Sequence, residues 1–342
     1  GLTATPDRMD GRNIYELCDY NVPYQINLKD AVNKGLLVPF HYYGVYDETV
    51  DYSGIRKVKG KYDEEELTRE LLVNKRYALI YKHYMKYRSQ KALGFCCSRK
   101  HAEEMAKEFC LRDIPAAAVY SNSDGGYSED RSVALRKLEH GEIKVIFSVD
   151  MFNEGLDISD IDMVMFLRPT ESPVVFLQQL GRGLRKSRGK DFLNVLDFIG
   201  NYEKAGSAPF LLSGRPYSSA EAGRMQQSDF TFPDDCVVDF DMRLIDLFQE
   251  MAKKRVKKDD RVREEYFRIK ELLDGRVPSR MELFTYMEDE VYQICSEVKN
   301  SPFKHYLRYL DSLKELGAEE EAVYHSIGNE LLEMMETTKM TK

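Results

Sequence analysis

The chain has 342 residues, 43% of them hydrophobic and 32% charged, with a formal net charge of −8 at pH 7. That size and balance point to a globular, soluble protein of roughly two or three domains. No apolar run is long enough to span a bilayer, and no basic stretch followed by an apolar core marks an export signal. The acidic balance does not favour nucleic acid, but it leaves room for a local basic groove. Cys18, Cys96, Cys97, Cys110, Cys236 and Cys295 form no CxxC pair and no zinc spacing, which fits reduced thiols in the cytoplasm.

In chain order, residues 36–45 are expected as a strand, followed by an acidic, Gly-containing linker over 47–66. Asn74–Tyr87 carries Ala78, Tyr81 and Met85 at helical spacing, with Tyr77, Ile80 and Tyr84 beside them, and predicts a core-packing helix. Strand-like runs at 92–97, 115–120, 144–149, 163–167 and 192–198 then alternate with helical patterns at 99–112, 128–140 and 173–184. Continuous apolar strands between helices argue for a parallel sheet covered on both faces. Ser98, Ser128 and Ser172 are expected as helix caps, Ser172 with Pro173 at the first helical position. Residues 201–235 read as a polar linker, and from Val237 onward the pattern is helical and charged. The mixed charges of 253–263 read as a solvated helix face. Ser279 and Glu282 form a capping box, and Ser301-Pro302 predicts a helix over 303–316.

The run from Phe176 to Arg185 has the most chemistry. Gln178, Gly181, Arg182 and Arg185 stand at i, i+3, i+4 and i+7, one face of a helix if the helix continues. Two guanidiniums beside a residue that admits another chain suit a polyanion such as a γ-phosphate. Taken alone, the run could equally be a solvated basic turn. Ser98, Arg99 and Lys100 follow a buried strand at a helix start, where free N–H groups favour phosphate. Gly155 permits close backbone approach, and Asp157 could accept from a ribose hydroxyl or pair with an arginine.

The run Gln-x-x-Gly-Arg-x-x-Arg resembles the arginine-finger motif of superfamily 2 helicases and translocases. Residues 1–6, Gly-Leu-Thr-Ala-Thr-Pro, are similar to their Thr-Ala-Thr motif, 92–99 to motif IV, and 148–158 to motif V. The stretch 166–185 looks especially like DEAD/DEAH-like helicases of the bacterial restriction-enzyme type, and 275–283 resembles the helical region after their motor. The departures are Ser121 where many relatives have His-Gly, and Val149 where DEAD-box relatives have Thr.

The resemblance implies the C-terminal half of an ATP-dependent motor: a RecA-like parallel sheet with helices on both faces, then a mainly α-helical domain. Residues 1–35 would be a remnant of the first lobe and connector, 36–205 the second lobe, 206–240 a linker and 241–342 the helical domain. It implies Arg182, Arg185 and Gln178 as catalytic residues, and Gly155, Asp157 and Gly181 on the nucleotide side. Ser98, Arg99, Lys100 and Ser121 would touch DNA or RNA, and Thr3 and Thr5 would couple hydrolysis to movement. ATP and Mg2+ would be bound mainly by the missing first lobe, so the fragment alone is expected to be inactive. Two other readings stay open: a non-catalytic binding module, and the motor subunit of a restriction or defence nuclease with its nuclease domain elsewhere.

Overall fold

A computed structural model of the protein describes residues 26, 28–58, 61–87, 89–122, 124–151, 160–169, 173–202, 205–215, 222, 225–298, 300–317 and 324. Thr3, Thr5, Gly155, Asp157 and Ser172 lie outside the described residues. The chain divides into two units, Gly1–Met251 and Ala252–Lys342.

In chain order the first unit holds α1 (Leu28–Asn33), β1 (Phe40–Tyr46), β2 (Lys57–Val58), β3 (Lys61–Tyr62), α2 (Glu64–Leu71), α3 (Asn74–Tyr87), β4 (Ala92–Phe95), α4 (Arg99–Cys110) and β5 (Ala116–Val119). It continues with α5 (Arg131–Glu139), β6 (Val145–Ser148), β7 (Met163–Phe166), α6 (Pro173–Gly183), β8 (Leu193–Ile199), α7 (Ala208–Ser213) and β9 (Val237–Phe240), and runs into α8 (Met242–Leu272). Seven strands form one sheet in the order β5-β6-β4-β7-β8-β1-β9, and every pairing is parallel. All residues of β4, β5, β6 and β7 are buried, because helices cover both faces. On one face Tyr77, Ile80 and Tyr84 of α3 and Ala102, Met105 and Phe109 of α4 pack on Phe147, Met165 and Phe198. On the other, Phe176 of α6 stacks on Phe166 with ring centroids 4.8 Å apart.

The second unit packs Val262, Tyr266 and Ile269 of α8 with residues of α9 (Arg280–Tyr286), α10 (Asp289–Cys295) and α11 (Tyr306–Leu313). The capping box forms as the sequence predicts: Ser279 Oγ accepts the Glu282 N–H, and Glu282 reaches back to the Ser279 N–H. An α/β parallel-sheet unit followed by helices is thus the predicted class.

Several local expectations change. Among its described residues the predicted linker over 47–66 forms a turn at Tyr52–Gly54, the antiparallel β2–β3 ribbon, and the start of α2. Tyr52 is only 2% exposed, wedged against Tyr62 and Tyr202 at 6.0 and 5.5 Å, and its N–H donates to Asn201 Oδ1 at 2.8 Å. The acids of this stretch serve α2: Asp63 caps it and Glu64, Glu65 and Glu66 sit in its first turn, where the helix dipole favours them. Val237–Phe240, expected as the end of a linker running into a helix, is instead an edge strand with an exposed–buried alternation. In α3 the buried stripe is Arg76, Tyr77, Ile80 and Tyr84, while Ala78 and Met85 are exposed, because a buried arginine breaks the apolar pattern. Asp130, not Ser128, caps α5. The expected helix over 303–316 shortens to α11, which His305 precedes without a side-chain cap, while Ser301 Oγ accepts the Phe303 N–H.

Candidate functional site

Helix α6 leaves the C-terminal edge of the sheet after β7 and runs back along its face. Phe176, Gln179, Leu180 and Gly183 face inward and are buried, whereas Gln178, Gly181 and Arg182 are partly exposed. This split is the amphipathic division the spacing predicts. Gly183 has to be glycine: a Cβ there would stand 2.5 Å from Leu193 and 3.1 Å from Val164. At Gly181 a Cβ would meet nothing within 4 Å, so that surface is open. The Nε of Arg182 is buried, although the residue as a whole is partly exposed.

Arg185 departs from the expectation. The helix stops at Gly183, so Arg185 lies in the following loop rather than one turn further along the same face. The loop is tied down by its carbonyls. Val38 N–H donates to Leu184 O at 2.9 Å, and Lys190 Nζ donates to Gly183 O at 2.5 Å and to Arg185 O at 3.0 Å. Burial lowers the Lys190 ammonium to about 8, against the pull of Asp162 and Asp160. A pocket of about 480 Å³ opens beside this loop, lined among others by Lys186, Lys190, Asp191, Asp234 and Asp235.

Under α6 sits a buried acid that the sequence reading missed. Tyr42 donates its hydroxyl to Asp197 Oδ2 at 2.5 Å, and Asp197 Oδ1 has no partner among the described residues. Burial raises the Asp197 carboxyl to about 7, although the Tyr42 hydrogen bond works the other way.

The second group of candidates lies at the C-terminal edge. Arg99 and Lys100 are exposed at the start of α4. Arg99 Nη2 donates to Ser121 Oγ at 2.9 Å, and its guanidinium lies 5.6 Å from the Tyr120 ring. Tyr120 is held in turn by its hydroxyl on Glu103 Oε1 at 2.9 Å. Ser98 is buried. Its hydroxyl accepts the His101 N–H at 3.2 Å and the Thr68 hydroxyl at 2.7 Å, so it works as the cap that orients α4.

Beneath that turn lies a buried polar cluster. Arg76 Nε donates to Asp47 Oδ2 at 2.7 Å and Nη2 to Leu167 O at 2.9 Å, with both ion-pair partners fully buried. Arg76 Nη1 faces His101 Nε2 at 3.4 Å. On the other side of the ring, His101 Nδ1 accepts the Cys97 N–H at 3.4 Å and lies 3.5 Å from Cys97 Sγ. Burial, then Arg76, holds this imidazole well below the ordinary histidine range and therefore neutral. The cluster joins the ends of β1, β4 and β7. A charged residue in the apolar stripe of α3 was the one signal that could have revealed it.

The sheet is parallel, so Ser98 and Ser121 stand at one edge, after β4 and β5. The loop after α6 stands at the opposite edge, where Leu184 meets Val38 ahead of β1 and Gly183 meets Leu193 at the start of β8. The two groups are separate surfaces of one rigid sheet.

A parallel α/β lobe with an arginine-bearing return helix is the architecture of RecA-like motor domains. Residues 75–187 match the helicase conserved C-terminal domain. A 51.5 kDa protein of Lactococcus phage (isolate 7-9) is 29% identical over 207 residues, covering 60% of this chain and 44% of its own length. The putative ATP-dependent helicase IRC3 of Saccharomyces cerevisiae is 27% identical over 268 residues, covering 77% of this chain and 36% of its own. A fragment of a putative HsdR subunit of a type I restriction enzyme from Vibrio vulnificus YJ016 is 23% identical with a TM-score of 0.46, covering 60% of this chain and 39% of that one. The chain is similar to superfamily 2 helicases over these spans, the domain match taking in residues 75–187. It spans less than half the length of the curated relatives described, 44% and 36%.

Proposed function

We propose that this chain is the C-terminal portion of an ATP-dependent nucleic-acid helicase or translocase. It supplies arginine fingers to a nucleotide site completed by a first motor lobe, and strand contacts from the opposite edge of its own sheet. The observation that carries this reading is the outward face of α6 and its loop: Gln178, Gly181 and Arg182 partly exposed, open space at Gly181, and Arg185 on a segment pinned at three consecutive carbonyls. Arginines presented on such a segment suit a phosphate whose charge grows in the transition state. When bound, ATP with Mg2+ supplies the phosphoryl group that is transferred to water. Gly155 and Asp157 serve the nucleotide side in this reading, and Thr3 and Thr5 the coupling to movement.

Strand contact falls to Arg99, Lys100 and Ser121, with Ser98 orienting the helix that bears the two cations. Such contacts go to phosphates and are independent of sequence.

The test uses the protein with both motor lobes. Arg182→Ala and Arg185→Ala should each cut nucleic-acid-stimulated ATP turnover by about 10³-fold or more, as finger removal does in phosphoryl-transfer enzymes, while leaving nucleic-acid affinity in place. Turnover equal to the parent in both variants overturns the finger assignment. A parent that binds nucleic acid but hydrolyses nothing makes the chain a binding module.

A further inference from the structure

We propose that Lys190 is a positioning residue that sets where Arg185 stands, an inference that rests on the finger reading above. Helix α6 ends at Gly183, so helical hydrogen bonding does not extend to Arg185. What holds that residue is a set of donors arriving from elsewhere. Lys190 Nζ takes the carbonyls on either side of Leu184, Gly183 O at 2.5 Å and Arg185 O at 3.0 Å, while Val38 N–H takes Leu184 O at 2.9 Å. The Leu184 side chain is fully buried between them. Backbone freedom is thus removed up to Arg185.

The local sequence explains how the ammonium gets there. Lys190 N–H donates to Ser187 O at 3.2 Å, and Gly189 between them has φ +79°, a conformation that a side chain disfavours. This turn reverses the chain and returns Lys190 to the end of α6. A cation at a helix C-terminus is also favoured by the helix dipole. One lysine therefore does what another turn of helix would have done, and it does so where the chain must leave the helix to enter β8.

The catalytic consequence follows from geometry. A guanidinium acts on a transferring phosphoryl group only when placed to within a fraction of an ångström, and misplacement by about 1 Å costs up to roughly 10²-fold in rate. Lys190 touches neither nucleotide nor nucleic acid in this account. It acts through the Arg185 backbone.

Two measurements test this. In the present chain, Lys190→Met should raise amide hydrogen exchange over residues 184–189 about tenfold while β7 and β8 keep their protection, since only local opening changes. Lys190→Arg, which can still donate to both carbonyls, should restore the protection. In the protein with both lobes, Lys190→Met should lower kcat for ATP by roughly tenfold with KM and nucleic-acid affinity unchanged. It should add nothing once Arg185 is Ala. Unchanged exchange, or an equal kcat loss in the parent and Arg185→Ala backgrounds, overturns the proposal. If Arg185→Ala slows turnover and Lys190→Met does not, Lys190 loses its role while the finger reading stands. If Arg185→Ala itself has no effect, the finger reading falls, and the catalytic part of this inference falls with it.

Discussion

Asp197 shows how much one buried group can decide. Its carboxyl is wholly enclosed, takes one hydrogen bond from Tyr42, and leaves Oδ1 without a partner among the described residues. Burial lifts it from 3.8 to about 7 in the folded protein. A carboxyl raised on folding contributes stability that is fully present below the unfolded value and is lost as pH climbs through the folded one. Between about pH 4 and 7 the folded chain should therefore lose stability by up to roughly 1.4 kcal/mol per pH unit from this group alone. Asp197→Asn should lack that component. Urea midpoints of parent and variant, measured from pH 4 to 8, should diverge with rising pH; parallel curves would contradict the assignment. Arg76 and Asp47 are the opposite case. Both are fully buried, but each meets its counter-charge, and the guanidinium also donates through Nη2 to Leu167 O and faces His101 Nε2 through Nη1. A pair of this kind tolerates the loss of neither partner, because the survivor would be a buried, uncompensated charge.

At the scale of single elements, end chemistry matters more than propensity. Helix α9 begins with a complete capping box, and Arg276 and Ser279 hold the Glu282 carboxyl at about 2, so the box persists across the ordinary pH range. Ser279→Ala should cost the helical unit about 1 kcal/mol, read as a lowered thermal or urea midpoint for that unit; an unchanged midpoint would remove the cap from the account. Helix α6 shows the reverse arrangement. Carbonyls at its C-terminal end are taken by Lys190, returned by the turn at Gly189, and by Val38 from ahead of β1. Patterns of capping residues therefore located the start of α9 correctly and missed the way α6 ends.

Across the whole first unit, a parallel sheet separates the two candidate surfaces. Every strand end that carries Ser98, Ser121 or Arg168 points the same way, and the return helix delivers Arg182 and Arg185 to the other edge. A sheet of this kind can hold two charged surfaces without either crowding the other. Arg99→Ala and Lys100→Ala should weaken binding of a single-stranded homopolymer. Each should also reduce the slope of log K against log salt by about 0.7. A slope equal to the parent's in both variants would remove these cations from the strand path.

Local patterns determined a good deal. Runs of apolar residues alternating with helical spacing specify a covered parallel sheet, because periodicity is a property of neighbouring positions. The tertiary structure alone decided the rest. Arg76 meets Asp47 across 29 positions, Tyr42 meets Asp197 across 155, and Val237–Phe240 becomes a strand only because β1 offers it a free edge. Lys190 has no motif to betray it, since it acts on backbone carbonyls that every residue possesses. Burial, charge compensation and carbonyl capture depend on which distant segments the fold brings within hydrogen-bond reach, and that information appears only when the chain is closed on itself.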